Sequence, residues 1–265
     1  MHIIDIDFFS DMSPYARFWS TQMGHRPHLL ECVQCPECKK DLRRTYLDYE
    51  KYVLSEGILP DVIYGGFSVN EKFRNAWVKS GLKGIADFLP LSLYQRRNKR
   101  YVKVKQPYYQ VVVNVPHLKV DLRKSGLIND DMIVARNGDK VVLPEGTRSW
   151  IYWECPVCGY VERTFSPYNH KSFWVQWRFP ENLKYDGTTD DDIFTFTNAF
   201  NGIKCGMSGN RYYFVSDQFI EFIKENQLTN MYAFTPEEFR TIYVNNPTKR
   251  YTPIYTDPTI AGMDH

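Results

Sequence analysis

No stretch of this 265-residue chain approaches the roughly 18 consecutive apolar residues that a membrane-crossing helix needs. Its opening, MHIIDIDFFSDMSP, carries acidic residues where a secretory leader would be cationic, so the cytoplasm is the expected compartment. Charge of one sign is also scarce. A net charge of +2 argues against a dedicated nucleic-acid binder. Glycine-rich phosphate loops, G-x-S-x-G elbows and H-E-x-x-H helices are missing, which argues against the common hydrolases and nucleotide enzymes. The six histidines are scattered, and neither His117 nor His170 pairs with a nucleophile in sequence. No catalytic residue is assigned, and a non-enzymatic protein is expected. No low-complexity linker divides the chain.

What is abundant is aromatic. Phe, Tyr and Trp make up 16% of the residues within a 43% hydrophobic composition, which suits strands and buried faces better than a long-helix bundle. Six cysteines carry the chemistry: Cys32, Cys35, Cys38, Cys155, Cys158 and Cys205. In a cytoplasmic chain such pairs point to metal or redox work rather than a disulfide framework. Cys35-Pro36-Glu37-Cys38 and Cys155-Pro156-Val157-Cys158 share one C-P-x-C pattern. A two-residue gap lets both thiolates of a tight turn point at one ion, and two turns supply the four ligands of a tetrahedral zinc site.

That site would be structural, because four thiolates leave no open coordination position for catalysis. Two incomplete knuckles, or a first knuckle completed by His25 or His28, are alternatives. Redox-active or plain buried cysteines are another. Cys32 is spaced to compete as a ligand, whereas Cys205 in IKCGMSG reads as a small core residue.

An internal similarity accompanies the paired elbows. VNEKFRNAWVKSGLKGIADFLP (69 to 90) aligns without gaps on VSDQFIEFIKENQLTNMYAFTP (215 to 236), matching Val69 with Val215, Phe73 with Phe219, Leu82 with Leu228 and Pro90 with Pro236. Each reads as strand, cap, helix, strand, with Asn70 and Ser216 as N-caps. Gly81 and Asn226 are expected to end the helices. The remainder reads as strand, including RYVKVKQPYYQVVVNV, DKVVLPE, SWIYWECPVCGY, SFWVQWRF and DIFTFTNAF. The Pro-rich tail after Asn246 is expected to drape over the surface or move. The expected fold is α+β with mostly antiparallel sheet. Residues 1–120 and 121–265 would each hold a C-P-x-C elbow and a strand–helix–strand unit, in one compact body stapled by a structural zinc on four cysteines.

The paired C-P-x-C elbows, the second continuing as Cys158-Gly159, resemble the bacterial double-CxxCG motif family. The stretch from DDDIFTF through YYFVSDQFIEFIKENQLTNMYAF is similar to an arrangement in immunity proteins of bacterial polymorphic toxin systems. The resemblance covers less than half of the chain. It implies a cytoplasmic antidote that binds and blocks a cognate protein toxin, with Cys35, Cys38, Cys155 and Cys158 as metal ligands. Lys39 stands where the first CxxCG motif has glycine, and Cys32 is additional.

Partner surfaces are sought in two places. In QRRNKRYVKVK, the cations Arg96, Arg97, Lys99, Arg100, Lys103 and Lys105 could meet an acidic toxin or line phosphates, with Tyr101, Tyr108 and Tyr109 stacking on bases. The plainer reading is a solvated hairpin with a lysine-protected edge. In SFWVQWRF, Trp174 and Arg178 would be interface anchors if exposed. Asp190, Asp191 and Asp192 read as a polar strand start, since consecutive strand side chains diverge. A zinc-stabilised nucleic-acid binder using residues 95–109 and a thiol enzyme cycling a C-P-x-C pair are the competing functions.

Overall fold

The structure, a computed structural model, describes residues 1–5, 15–16, 18–21, 28–47, 52–63, 67–121, 124–125, 149–165, 183–197, 213–238 and 252–259. Within them the protein is rich in β-sheet, with few helices. One described strand pair, Tyr52–Leu54 with Leu93–Arg97, runs parallel, and the other described strand pairs are antiparallel.

Two four-stranded sheets flank the helices. One runs Val62–Ile63, Ser68–Asn70, Tyr108–Val113, Ile85–Leu91 in spatial order. The other runs Ile193–Phe194, Tyr213–Val215, His2–Asp5, Tyr232–Phe234. A third places Arg100–Lys103 at the edge, followed by Leu93–Arg97, Tyr52–Leu54 and Phe18–Thr21.

Local sequence explains the helices. Helix α1 (Glu71–Ser80) begins where the Asn70 side chain accepts the Phe73 amide at 3.0 Å, and it ends at Gly81 with φ of 74°. Helix α2 (Asp217–Glu225) begins where the Ser216 hydroxyl accepts the Phe219 amide at 3.1 Å, and it is capped by Asn226. Each has an acidic residue in its first turn and a lysine in its last, matched to the helix dipole. Their apolar faces interlock. Phe73 meets Phe222 edge-on at 5.5 Å between ring centroids, and Trp77 meets Phe219 at 5.9 Å and Phe222 at 5.7 Å. These rings lie in a core shared with Val62, Val69, Val111, Ile193 and Val215 from both flanking sheets.

Several strand expectations change on inspection. RYVKVKQPYYQVVVNV is two strands in different sheets, Arg100–Lys103 and Tyr108–Val113, separated at Pro107, which has no amide to offer a ladder. DIFTFTNAF does not alternate at its start, because residues 192–196 are all buried. Ile254, in the tail, donates its amide to the Met231 carbonyl at 2.8 Å and packs against the core. DKVVLPE, SFWVQWRF and Cys205 lie outside the described residues.

Candidate metal centre

Two hairpins build the cysteine site. His28–Gln34 pairs with Asp41–Leu47, and Ser149–Glu154 pairs with Val161–Phe165. Each ladder runs out just before its C-P-x-C turn, and the two turns close in the same way. The Cys35 amide donates to the Lys40 carbonyl at 2.8 Å, and the Cys155 amide donates to the Tyr160 carbonyl at 2.8 Å. Lys39 donates its amide to the Cys35 carbonyl at 3.0 Å, and Gly159 donates to the Cys155 carbonyl at 2.9 Å.

The residue after each second cysteine is left-handed, with φ of 60° at Lys39 and 68° at Gly159. Glycine takes that conformation freely and lysine does not. Lys39 folds its Nζ back onto the Pro36 carbonyl at 2.7 Å. Gly159→Ala should therefore cost at least about 1 kcal/mol in urea denaturation, the left-handed strain being a minimum at this buried position.

The turns bring four thiols together although the chain separates them by 120 residues. Cys35 Sγ lies 3.7 Å from Cys155 Sγ, and Cys38 Sγ lies 3.5 Å from Cys158 Sγ. All four sulfurs fall within 4.8 Å of one another. A disulfide requires about 2.05 Å, so these are free thiols. A tetrahedral ion with metal–sulfur bonds of about 2.3 Å has sulfur–sulfur edges of about 3.8 Å, which the observed spacing fits. Cys35, Cys155 and Cys158 are buried and Cys38 is half-buried, with Leu42 and Tyr160 packed around them.

The hairpins also touch beyond the sulfurs, where Lys40 Nζ sits 4.3 Å from the centre of the Tyr160 ring. That contact pairs two residues that neither motif singles out. The Thr197 hydroxyl ties the second turn to a neighbouring segment by donating to the Cys158 carbonyl at 2.7 Å.

Electrostatics favour a cation here. Burial pushes the Cys35 thiol up, but the backbone amides of Cys38 and Glu37 and the neighbouring thiols outweigh it and hold Cys35 at about 7. Burial pushes Cys38 and Cys158 up. Four ionised sulfurs in this volume require a positive ion at their centre. A soft divalent metal would supply it, and four protein ligands would leave it no open position.

The other candidate ligands lie apart. Cys32 is outside the four-sulfur group and donates its thiol to Asp41 Oδ1 at 3.0 Å. His28 pairs with Leu47 at the far end of its hairpin, and His25 is outside the described residues. Asp190, Asp191 and Asp192 take separate partners: the Lys83 ammonium, the Asn114 amide at 3.0 Å, and the Lys83 backbone amide at 3.0 Å with the Ser216 hydroxyl at 2.7 Å.

The basic segment is a hairpin turning at Asn98 and Lys99, which have φ of 48° and 63° as a type I′ turn requires. Arg97 pairs across the ladder with Arg100, and Arg96 with Tyr101. Alternation therefore puts Arg97 and Arg100 on one face and Arg96 with Tyr101 on the other. The cations do not line a single groove. Arg100–Lys103 is exposed throughout, and Tyr101 and Val102 are large apolar side chains left open to solvent. Tyr108 is unavailable for base stacking, since it is buried with its hydroxyl donated to the Pro60 carbonyl at 2.6 Å. Tyr109 is half-buried, with the Arg74 guanidinium 4.9 Å from its ring centre. Trp174 and Arg178 lie outside the described residues. No described helix is long and apolar enough to cross a membrane. Comparison with family models, with curated proteins and with solved structures finds no match for this chain.

Proposed function

We propose that this protein is a non-catalytic immunity protein that binds and neutralises a cognate bacterial toxin, held in shape by one structural zinc ion on Cys35, Cys38, Cys155 and Cys158. The four-thiol cluster carries the reading. Its spacing suits zinc, its sulfurs are mostly buried, and its four ligands complete a tetrahedron with no place for a reacting water. A redox pair would need an accessible thiolate, whereas Cys35 is fully buried and burial pushes its half-buried partner Cys38 toward the thiol form. The resemblance to double-CxxCG and immunity sequences supplies the partner class.

The exposed end of the basic hairpin, residues 97–103 with the half-buried Arg96 beside it, is the surface assigned to the toxin. Its Arg96, Arg97 and Arg100 would steer an acidic partner, and Tyr101 and Val102 offer apolar contact at a sheet edge. The nucleic-acid reading is weaker, because burial removes Tyr108 from the proposed stacking platform.

The test is co-expression with the toxic domain of a secreted protein encoded next to this gene. Growth should be restored and a stable complex recovered. The triple charge reversal R96E/R97E/R100E should weaken binding at least about tenfold while metal content stays unchanged. Absence of both rescue and complex, with salt-sensitive retention on DNA instead, would transfer the assignment to nucleic acid.

A further inference from the structure

We infer that the chain is an internal duplication in which each half lends its leading strand to the other half's sheet, with the four-cysteine centre as the point where the halves meet. The similarity at 69–90 and 215–236 extends well beyond those segments once strand registers are compared. Val62 pairs with Val69 and Ile63 with Ser68, and in the same register Ile193 pairs with Val215 and Phe194 with Phe214. Each central strand lies on its neighbour in the same way. Tyr109 faces Val69 and Gln110 faces Ser68, as His2 faces Val215 and Ile3 faces Phe214. Tyr108–Val113 and His2–Asp5 are thus counterparts. The last pairing differs by one residue, with Gln110 opposite Leu89 but Ile3 opposite Phe234, the counterpart of Phe88.

Two buried carboxylates show the exchange is reciprocal. Asp61 and Asp192 each sit one residue before the first strand of their sheet. Asp61 accepts the Asn70 side-chain amide at 2.6 Å, and Asp192 accepts the Ser216 hydroxyl at 2.7 Å, so each braces the helix cap of its own half. Their second oxygens reach across. Asp61 accepts the Thr229 amide at 2.9 Å, and Asp192 accepts the Lys83 amide at 3.0 Å.

The alignment of Val69 with Val215 also aligns Lys83 with Thr229. It superposes the left-handed residues too, Gly81 (φ 74°) on Gln227 (φ 52°) and Gly84 (φ 114°) on Asn230 (φ 65°). Contacts that run from half one to half two and back through matching residues are the pattern of an isologous dimer interface, here within one polypeptide. The cysteine turns, with their matching hydrogen bonds, belong to the same correspondence. The boundary between halves then falls between Lys105 and Tyr108, so Tyr108–Val113 belongs by descent to the second half.

The experiment uses the full chain with a site-specific protease sequence inserted after Gln106, which is exposed. After cutting, the two pieces should co-elute at the uncut size in native buffer and melt in one transition. Separation in native buffer, or two independent melts, overturns the inference. Hydrogen exchange on the uncut protein distinguishes strand exchange from ordinary packing. Asp61→Asn should lose at least about tenfold protection at the Thr229 amide, and Asp192→Asn the same at Lys83. Unchanged exchange in the opposite half for both variants would also overturn it.

Discussion

Cys155→Ser should empty the metal centre and lower stability together, by at least about 3 kcal/mol in the metal-replete protein. The substituted sulfur is fully buried and lies 3.7 Å from Cys35 Sγ, so a shorter hydroxyl neither reaches nor binds a soft ion as the thiolate does. Three thiols then remain without a cation, and burial already disfavours ionisation of Cys38 and Cys158. A metal held by four thiolates that only the folded chain brings together would bind the folded state preferentially, so losing it would subtract its whole binding contribution from folding. A strong chelator added to the unsubstituted protein should reproduce the effect, whereas Cys32→Ser should retain the metal. Metal analysis and thermal denaturation on the same samples check this. Full metal content with an unchanged midpoint in Cys155→Ser would refute the assignment.

Gly84→Ala should be severely damaging, costing more than about 4 kcal/mol and leaving little folded protein under physiological conditions. A Cβ at this position would lie 2.0 Å from the Ile193 carbonyl oxygen and 2.9 Å from its carbon. That carbonyl belongs to a buried strand, with Ile193 fully inaccessible, so it has nowhere to retreat. The φ of 114° adds a backbone penalty for any side chain. Gly81→Ala is the matched control. Its φ is 74° and nothing lies within 4 Å of the added carbon, so only left-handed strain of about 1 kcal/mol applies. Urea denaturation of the two variants separates steric from conformational cost. A Gly84→Ala protein within about 1 kcal/mol of the parent would show that the halves approach less closely here.

The features legible in sequence are those set by neighbours in the chain. The C-P-x-C spacing fixes each turn by itself, and the caps at Asn70 and Ser216 follow from side chains reaching amides three residues on. The coming together of four sulfurs is an expectation from chemistry rather than from spacing, because the intervening chain says nothing about where each hairpin points. The strand partners are not legible. His2–Asp5 carries no mark that it belongs beside Tyr213–Val215 and Tyr232–Phe234, since period-two patterning specifies a face and not a neighbour. Asp61 escapes a sequence reading for a related reason. A lone aspartate before Val62-Ile63 looks like any turn residue, and only its likeness to Asp192 before Ile193-Phe194 marks it. The basic hairpin misleads in the opposite direction: its cations are neighbours in sequence, but the pleat sends Arg96 and Arg97 to opposite faces.

The position of His2–Asp5 matters during synthesis. His2 is hydrogen-bonded to Asp217 across 215 residues, and its strand lies between two others that leave the ribosome late. At about 5–20 residues per second, that strand waits on the order of ten to forty seconds for its partners. Through that interval the nascent chain holds an apolar segment, Ile3-Ile4, whose strand partners have yet to emerge. Chaperone binding to the nascent chain, released once residue 234 emerges, is the expected cellular cost of this topology, and capture of chaperones on stalled ribosomes checks it.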